Sequence, residues 1–214
     1  MGREDSRSVF DRLMNTSLRG AAGEYADETR DARRPVCIPN SYWVPGLPLL
    51  AGEYPGALSE AAAAAKLDSL LNGGVTSFVD LTAPADGMLP YDGLLRAAAR
   101  ERGSHVTYRR MEIPDMDVTG LEEMRVILSH IDAEMHAGRT VYVHCWGGVG
   151  RTGTVVGCML AERGVTGDDA LAEVARLFAT MSPAKLRRHP EGSPQTERQR
   201  AMVRHWQREA SPTP

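Results

Sequence analysis

One thiol and one guanidinium lie close together in the stretch VYVHCWGGVGRTGT. Cys145 and Arg151 are separated by five residues, three of which are glycine. Glycines let a short loop point several backbone N–H groups at one tetrahedral anion, because the required φ values are disfavoured by side chains. The planar fork of an arginine can hold two phosphate oxygens at once, which a lysine cannot do. These residue types at this spacing predict a phosphate-binding loop that carries a nucleophilic thiol.

The residues on either side of the loop predict a strand before it and a helix after it. Residues 141 to 143 are β-formers, and residues 152 to 160 are small and apolar. A helix that begins at the loop favours negative charge there, either a bound phosphate or the thiolate of Cys145. A glycine-rich turn around a buried cysteine is the alternative interpretation, but it explains neither Arg151 nor the glycines.

The motif His144-Cys145-x5-Arg151-Thr152 resembles the H-C-x5-R-[ST] signature of the cysteine-dependent tyrosine and dual-specificity protein phosphatases. The resemblance covers residues 45 to 205 and implies that Cys145 attacks phosphorus while Arg151 binds its oxygens. It implies that Thr152 donates to the departing sulfur and that His144 orients the loop, although both could merely satisfy backbone groups. The residues that would surround the phosphate are Trp146, Gly147, Gly148, Val149 and Gly150.

A cysteinyl-phosphate mechanism also needs an acid that protonates the leaving oxygen and then activates water. The segment MEIPDMDVT resembles the general-acid loop of this family. Asp115 matches the acid's position directly after a predicted strand, and Asp117 is the competitor. Either carboxylate could instead be a solvated group near a helix N-terminus. Gln195 and Gln199 resemble the late polar residues that position the hydrolytic water, with simple solvent exposure as the alternative.

Strands that alternate with helices predict an α/β domain with a central, mainly parallel sheet of about four to five strands, flanked by helices on both faces. The resemblance implies the phosphotyrosine protein phosphatase-like form of this fold. The predicted strands are 49–52, 75–81, 105–113 and 140–143. The predicted helices are 60–71 after the cap Ser59, 91–102, 121–138 after a capping box at Thr119 and Glu122, 152–160, one from the cap Thr166 to 180, and one from Ser193-Pro194 to 208.

The chain divides into a polar N-terminal arm at 1–35, a phosphatase domain at 36–209 and a tail at 210–214. The arm contains one predicted short helix at about 9 to 18. The start of the domain, with four prolines between residues 35 and 48, is predicted to be an extended segment anchored by Tyr42 and Trp43.

The composition sets limits on the function. With 214 residues, 25% charged and 42% hydrophobic, the chain fits one globular domain, and a net charge of -3 gives no reason to propose nucleic-acid binding. No apolar run reaches transmembrane length, so no membrane association is expected. Three cysteines are too few for a disulfide framework or a zinc site, so we expect a reducing, cytoplasmic location and no metal or other cofactor. Cys158 is expected in the core, and Cys37 is a candidate resolving thiol for Cys145.

The substrate class follows from what surrounds the loop. No Lys-Asn-Arg-Tyr-like segment deepens the pocket, which implies a shallow, dual-specificity-like site. The loop carries no lysine, unlike the phosphoinositide phosphatases of the superfamily, so a phosphorylated protein is favoured, with Trp146 as a hydrophobic lip. The chain is therefore predicted to hydrolyse phosphotyrosine, and also phosphoserine and phosphothreonine, in proteins. An arsenate reductase, a sulfurtransferase and a non-catalytic phosphoresidue-binding module remain alternatives, and the oligomeric state is open.

Overall fold

The computed structural model of the protein describes residues 34–206. Its strands are β1 (Ser41–Trp43), β2 (Leu49–Gly52), β3 (Val75–Asp80), β4 (Thr107–Arg110) and β5 (Thr140–His144). Its helices are α1 (Glu60–Asn72), α2 (Asp92–Glu101), α3 (Leu121–His136), α4 (Gly150–Glu162), α5 (Gly167–Phe178), α6 (Pro183–Arg188) and α7 (Glu197–Arg204), with a 3-10 turn at Pro84–Asp86. The predicted helix at 9 to 18 and the tail at 210–214 lie outside the described residues. Within them, no helix has the length and apolarity needed to cross a membrane.

The five strands form one sheet in the order β1-β2-β5-β3-β4. Strands β2, β5, β3 and β4 run parallel, and β1 pairs antiparallel with β2 at the edge. The prediction of a mainly parallel α/β sheet is confirmed. Strand β5 is central, and its last residue, His144, lies opposite Gly52 on β2 and Asp80 on β3. The loop that follows β5 therefore starts in the middle of the carboxyl edge, where ligands bind in sheets of this kind.

Both faces of the inner strands β2, β5 and β3 are buried, which explains why these strands are mostly apolar. Alternate residues of β5 point to opposite faces. Val141 and Val143 belong to a core with residues of α3 and α4, whereas Tyr142 belongs to a second core with residues of α1 and α2. The helices on the two faces hold β5 from both sides and thereby fix the position of the loop that it carries.

Several local predictions are confirmed and others are wrong. Ser59 caps α1 and Thr166 caps α5, each accepting from a backbone N–H of the first turn. The predicted capping box at Thr119 is wrong, because Gly120 is the N-cap of α3 and no side chain caps it. Ser193-Pro194 does not open the last helix: its peptide bond is cis, and α7 begins later, after Thr196.

Two elements were not predicted. The proline-rich segment contributes the edge strand β1, in which Tyr42 is buried and pairs with Ala51. Proline is tolerated beside a short edge strand because few ladder hydrogen bonds are needed there. The short helix α6 was also missed, although Ser182 caps it and Pro183 occupies its first turn.

The burial of α1 gives a prediction about stability. Leu67 on α1 is fully buried in the second core, so Leu67→Ala should lower the free energy of unfolding by about 2–5 kcal/mol. Leu58, in the loop before α1, is 97% exposed, and Leu58→Ala should change it by less than about 0.5 kcal/mol. Urea unfolding followed by circular dichroism measures both. Equal losses in the two variants would contradict the packing of α1 on the sheet.

Candidate active site

The cysteine loop, defined as residues 145–150, connects the end of β5 to the start of α4. The side chain of Cys145 is buried next to the first turn of α4, which begins at Gly150. The free N–H groups and the positive dipole end of α4 therefore face the loop. The first turn of α4 carries no acidic side chain that would occupy this position. The arrangement suits an anion held beside the sulfur.

Two of the three loop glycines make close contacts, one with backbone atoms and one with the end of a side chain. Gly148 has a φ of 71°, and a Cβ there would lie 2.5 Å from the carbonyl carbon of Gly52 and 2.7 Å from the backbone nitrogen of Glu53. A Cβ on Gly150 would lie 2.8 Å from the side-chain amide of Gln199. Gly147 differs, because its Cβ would meet only the Val149 side chain at 3.6 Å. The backbone of the loop therefore packs directly against the end of β2 at Gly148.

Arg151 is buried in the first turn of α4 and is surrounded by acceptors. Its Nη1 donates to Oδ2 of Asp86 at 2.6 Å and to the carbonyl of Ile113 at 3.1 Å. Its Nη2 lies 2.9 Å from Oδ1 of Asp115. Burial alone would lower the pKa of Arg151, but its interactions with Cys145, Asp86 and Asp115 raise it, so the guanidinium stays charged.

Asp86 is a site residue that the sequence reasoning missed. It ends the 3-10 turn that follows β3, and its side chain is 5% exposed. The available signal was a carboxylate shortly after the carboxyl end of a predicted parallel strand, at the edge where the ligand site was expected. Nothing local indicated that Arg151 would be its partner.

The two competing acids, Asp115 and Asp117, face different partners. Asp115 is half-exposed and reaches Arg151, whereas Asp117 forms an ion pair with Arg198 at 2.9 Å. Between them, Met116 has a φ of 59°, an uncommon value for a residue with a side chain. This backbone turn directs two carboxylates that are near neighbours in sequence to opposite sides. The structure therefore brings Asp115, and not Asp117, to Arg151.

His144 is fully buried below the loop. Its Nδ1 lies 3.3 Å from the carbonyl oxygen of Cys145, and its Nε2 lies 2.6 Å from the hydroxyl of Tyr91. Burial lowers the pKa of His144 to about 4, and the nearby carboxylate of Asp80 only partly opposes this. The ring is thus neutral at pH 7, and the assignment that fits both contacts has Nδ1–H donating to Cys145 and Tyr91 donating to Nε2. Tyr91 was not predicted as a site residue.

Asp80 is a structural carboxylate and does not line the site. It is fully buried and accepts hydrogen bonds from the backbone and hydroxyl of Thr82, from the Tyr108 hydroxyl and from Arg110. Burial would raise the pKa of Asp80, but the neighbouring His144 and these hydrogen bonds lower it. The carboxylate therefore fixes the ends of β3 and β4.

The remaining predicted polar residues, Thr152, Gln199 and Gln195, make different contacts. Thr152 is fully buried, and its hydroxyl donates to the carbonyl of Gly52 at 3.4 Å. Gln199 is buried against Gly150, accepts from the backbone N–H of Thr196 and donates to the backbone carbonyl of Asp117 at 3.1 Å. Gln199 therefore connects α7 to the segment that carries Asp115 and Asp117. Gln195 joins this contact through its main chain, because its backbone N–H donates to Oε1 of Gln199 at 3.1 Å.

Lys185 on α6 was also missed. Its Nζ donates to the carbonyl of Gly147 at 3.0 Å and pairs with Glu53 at 2.9 Å. Glu53 also pairs with Lys66 on α1 at 3.1 Å. Burial would raise the pKa of Glu53, but the two lysines lower it. These contacts connect the cysteine loop to α1 and α6. The Gly147 carbonyl oxygen faces the ammonium group of Lys185.

The other two cysteines lie away from Cys145. Cys158 is fully buried in α4, and burial raises its pKa. The sulfur of Cys37 lies against Gly73, just before the amino end of β3, whereas Cys145 follows the carboxyl end of the parallel strand β5. The two sulfurs are therefore held by different elements, and the resolving role of Cys37 stays a prediction.

Comparison with known proteins gives a family match and several similar structures. The family model described as "Swiss Army Knife protein, DSP-PTPase phosphatase domain" matches residues 53–203. The structure of Tk-PTP in the active form is 26% identical, with a TM-score of 0.59, and the match covers 78% of this chain and 96% of that one.

Two more distant structures have the same fold. The core catalytic domain of the PP-IP phosphatase SIW14 from S. cerevisiae, in complex with citrate, is 14% identical with a TM-score of 0.55, covering 79% of this chain and 88% of its own. A kinase-associated phosphatase with its catalytic cysteine changed to serine is also 14% identical, with a TM-score of 0.54, covering 72% and 83%. At this level of identity the similarity concerns the fold alone.

The glycine contacts predict how the loop binds anions. Gly148→Ala should weaken the binding of inorganic phosphate at least about tenfold, equivalent to about 1.4 kcal/mol, because the loop would have to move away from β2. Gly147→Ala, which meets only an ordinary contact, should bind within about twofold of the wild type. Isothermal titration calorimetry measures the affinities, and circular dichroism verifies that both variants are folded. Equal weakening in the two variants would show that the close approach to Gly52 does not shape the site.

Proposed function

Because the chain belongs to the DSP-PTPase phosphatase domain family of Swiss Army Knife proteins, we propose that it dephosphorylates proteins. The proposed substrates are phosphotyrosine and also phosphoserine and phosphothreonine residues, hydrolysed through a cysteinyl-phosphate. The observation that carries the proposal is the contact of Asp115 with Arg151 at 2.9 Å. It puts a carboxyl group, which can take up a proton and pass it to the leaving oxygen once it leaves the ion pair, beside the group that would bind the phosphate; simple phosphate binding does not require such a group.

In the first step, the Cys145 sulfur attacks phosphorus and the bond to the leaving oxygen breaks. Arg151 and the N–H groups of the cysteine loop stabilise the charge that develops on the equatorial oxygens. Asp115 gives its proton to the leaving oxygen. His144 keeps the loop in shape from below, since it is neutral and bonded to the Cys145 carbonyl.

In the second step, water attacks the phosphocysteine and the sulfur–phosphorus bond breaks. Asp115, now a carboxylate, takes the proton of the attacking water. Thr152 donates to the departing sulfur once its hydroxyl rotates away from the Gly52 carbonyl. We assign Gln199 to the positioning of the acid segment, because its amide is bonded to the Asp117 carbonyl.

Features at the mouth of the site support a protein substrate. Trp146, directly after the nucleophile, is 55% exposed and offers an apolar surface to the leaving group. The loop carries no lysine that would select a highly charged inositol lipid. A reducing cytoplasmic location, which keeps Cys145 a thiol, is part of the same proposal. Arsenate reduction or sulfur transfer is not favoured, because neither reaction needs a carboxyl group such as Asp115 beside Arg151.

The nucleophile is tested with an aryl phosphate. Hydrolysis of 4-nitrophenyl phosphate should continue in excess EDTA, and Cys145→Ser should lower kcat by at least about a thousandfold, since the covalent step is lost. Stopped-flow absorbance and acid quenching should detect phosphate bound to the wild-type enzyme. Activity that survives in the serine variant, or that EDTA abolishes, would be incompatible with the proposed chemistry.

The identity of the acid is tested by a matched pair. Asp115→Asn should lower kcat by about 10²–10⁴-fold on phosphotyrosine, because the leaving oxygen loses its proton donor. Asp117→Asn removes the same charge from the pair with Arg198 and should cost less than about tenfold. The deciding result is the ranking: a larger loss in the Asp117 variant would reverse the assignment.

A further inference from the structure

Every connection that leaves the carboxyl edge of the parallel strands exposes a large hydrophobic side chain. The connections are residues 53–59 after β2, 81–91 after β3, 111–120 after β4 and the cysteine loop after β5. Their exposed side chains are those of Leu58, Leu89, Met116 and Trp146, with exposed fractions of 97%, 53%, 49% and 55%. Single exposed hydrophobic residues scattered over a surface need no explanation. These residues share the edge at which ligands bind in sheets of this kind, and so they call for one.

The buried side chain of Tyr54 brings three of these connections together. Its backbone N–H donates to the carbonyl of Trp146 at 2.9 Å, and its hydroxyl donates to the carbonyl of Leu89 at 2.9 Å. The backbones of Leu89 and Trp146 are therefore separated by the length of one tyrosine. Leu58 follows Gly56, where an added Cβ would lie 3.3 Å from the same Leu89 carbonyl. The apolar residues of these three connections thus lie beside one another.

The guanidinium of Arg151 links the fourth connection to the others. It pairs with Asp86, three residues before Leu89, at 2.6 Å, and with Asp115, directly before Met116, at 2.9 Å. The segments that carry Leu89 and Met116 therefore meet at the group that would bind the phosphate. The exposed side chains around the cysteine loop together form an apolar rim, which consists of Leu58, Leu89, Met116 and Trp146.

The charges of the four connections indicate which ligand the rim suits. Their residues include no lysine or arginine. Glu112 is exposed, and the other carboxylates of the connections are paired: Glu53 with Lys185, Asp86 and Asp115 with Arg151, and Asp117 with Arg198. An anionic membrane surface is attracted by lysine and arginine, and acidic residues of a peptide favour a positive surface. A rim without cations of its own therefore suits an uncharged, apolar chain segment.

We propose that the apolar rim determines substrate specificity by binding large apolar residues one or two positions from the phosphoresidue of a protein segment. The inference rests on the proposed phosphatase activity and narrows its substrates to phosphoresidues with apolar neighbours. Such neighbours lie about 3–7 Å from the phosphoresidue along an extended peptide, so they reach the rim while the phosphate occupies the cysteine loop. Removing their side chains from water against the rim supplies the affinity.

The experiment compares phosphotyrosine peptides that differ only in the residues one and two positions away, which are leucine, alanine or glutamate. The wild type should prefer the leucine peptide over the alanine peptide by at least about tenfold in kcat/KM, mainly through KM. The glutamate peptide should be no better than the alanine peptide. The leucine preference should persist as salt is raised, because salt screens charges and not apolar contacts. Equal rates for leucine and alanine, or a preference for glutamate, would overturn the proposal.

Two exposed hydrophobic residues form a matched pair of variants. Leu89 is 53% exposed in the rim, and Val36 is 51% exposed beside Cys37, which lies against Gly73 just before the amino end of β3. Leu89→Ser should lower the ratio of the leucine and alanine peptides at least about threefold, and adding Leu58→Ser should bring the ratio close to one. Val36→Ser should keep the wild-type ratio. Rates on 4-nitrophenyl phosphate normalise each variant, and equal losses in the pair would contradict the rim.

Two other occupants of the rim give different results. A lipid surface would appear as co-sedimentation with phosphatidylcholine or phosphatidylserine vesicles, and a second copy of the chain as a dimer in sedimentation velocity. Either result overturns the proposal if the Leu58→Ser/Leu89→Ser variant abolishes it while the wild type shows no preference among the peptides.

Failure of the proposed function would look different, because no phosphoester at all, including 4-nitrophenyl phosphate, would be hydrolysed. The specificity of the rim is then still decided by binding. Calorimetry with the Cys145→Ser variant should give at least about tenfold tighter binding of the leucine peptide than of the alanine peptide. Adding Leu58→Ser and Leu89→Ser should remove the difference. Equal affinities for the two peptides would refute the rim independently of any turnover.

Discussion

The buried guanidinium of Arg151 is the constraint on which the other loops of the site depend. A buried charge is costly unless opposite charges and hydrogen bonds compensate for its lost hydration. The compensation comes from two loops that leave the same edge of the sheet. Asp86 follows β3, while the Ile113 carbonyl and Asp115 follow β4. Building an arginine into the first turn of α4 therefore organises the segment that carries the acid.

The two carboxylates on Arg151 are not equivalent. The side chain of Asp86 is 5% exposed, whereas that of Asp115 is 50% exposed. In the proposed mechanism, a phosphate in the cysteine loop competes with Asp115 for Nη2 of Arg151, while Asp86 keeps its contact with Nη1. Because solvent reaches Asp115, it can leave the guanidinium at small cost and turn toward the leaving oxygen. The contact thus holds Asp115 beside the site, and the proposed mechanism requires Asp115 to leave Arg151 when the phosphate binds.

The sequence predicted the features that depend on near neighbours in the chain. The cysteine loop, the caps Ser59 and Thr166, and the alternation of strands and helices are all local patterns, and the predicted fold class and family are confirmed. Three missed site residues contact the loop region across long stretches of sequence. Asp86 is 65 residues from Arg151, Tyr91 is 53 from His144 and Lys185 is 38 from Gly147. No periodicity or spacing identifies such partners, because only the packed sheet brings them together. The prediction that Ser193-Pro194 opens the last helix was wrong for another reason. Thr196, three residues after Ser193, forms a capping box with Gln199, and the helix starts there.

The choice between Asp115 and Asp117 illustrates how a tertiary contact assigns a role that local sequence leaves open. Both carboxylates follow the same strand, and only Met116 separates them. The positive φ of Met116 turns the backbone so that Asp117 pairs with Arg198 on α7, while Gln199 on the same helix holds the Asp117 carbonyl. Gln199 in turn packs on Gly150, which has no Cβ to obstruct it. Helix α7 therefore contacts both the start of α4 and the segment that carries Asp115 and Asp117. Because Asp117 is bound to α7, Asp115 is left facing Arg151. Which of the two carboxylates faces Arg151 therefore depends on the anchoring of Asp117 as well as on the position of Asp115 in the chain.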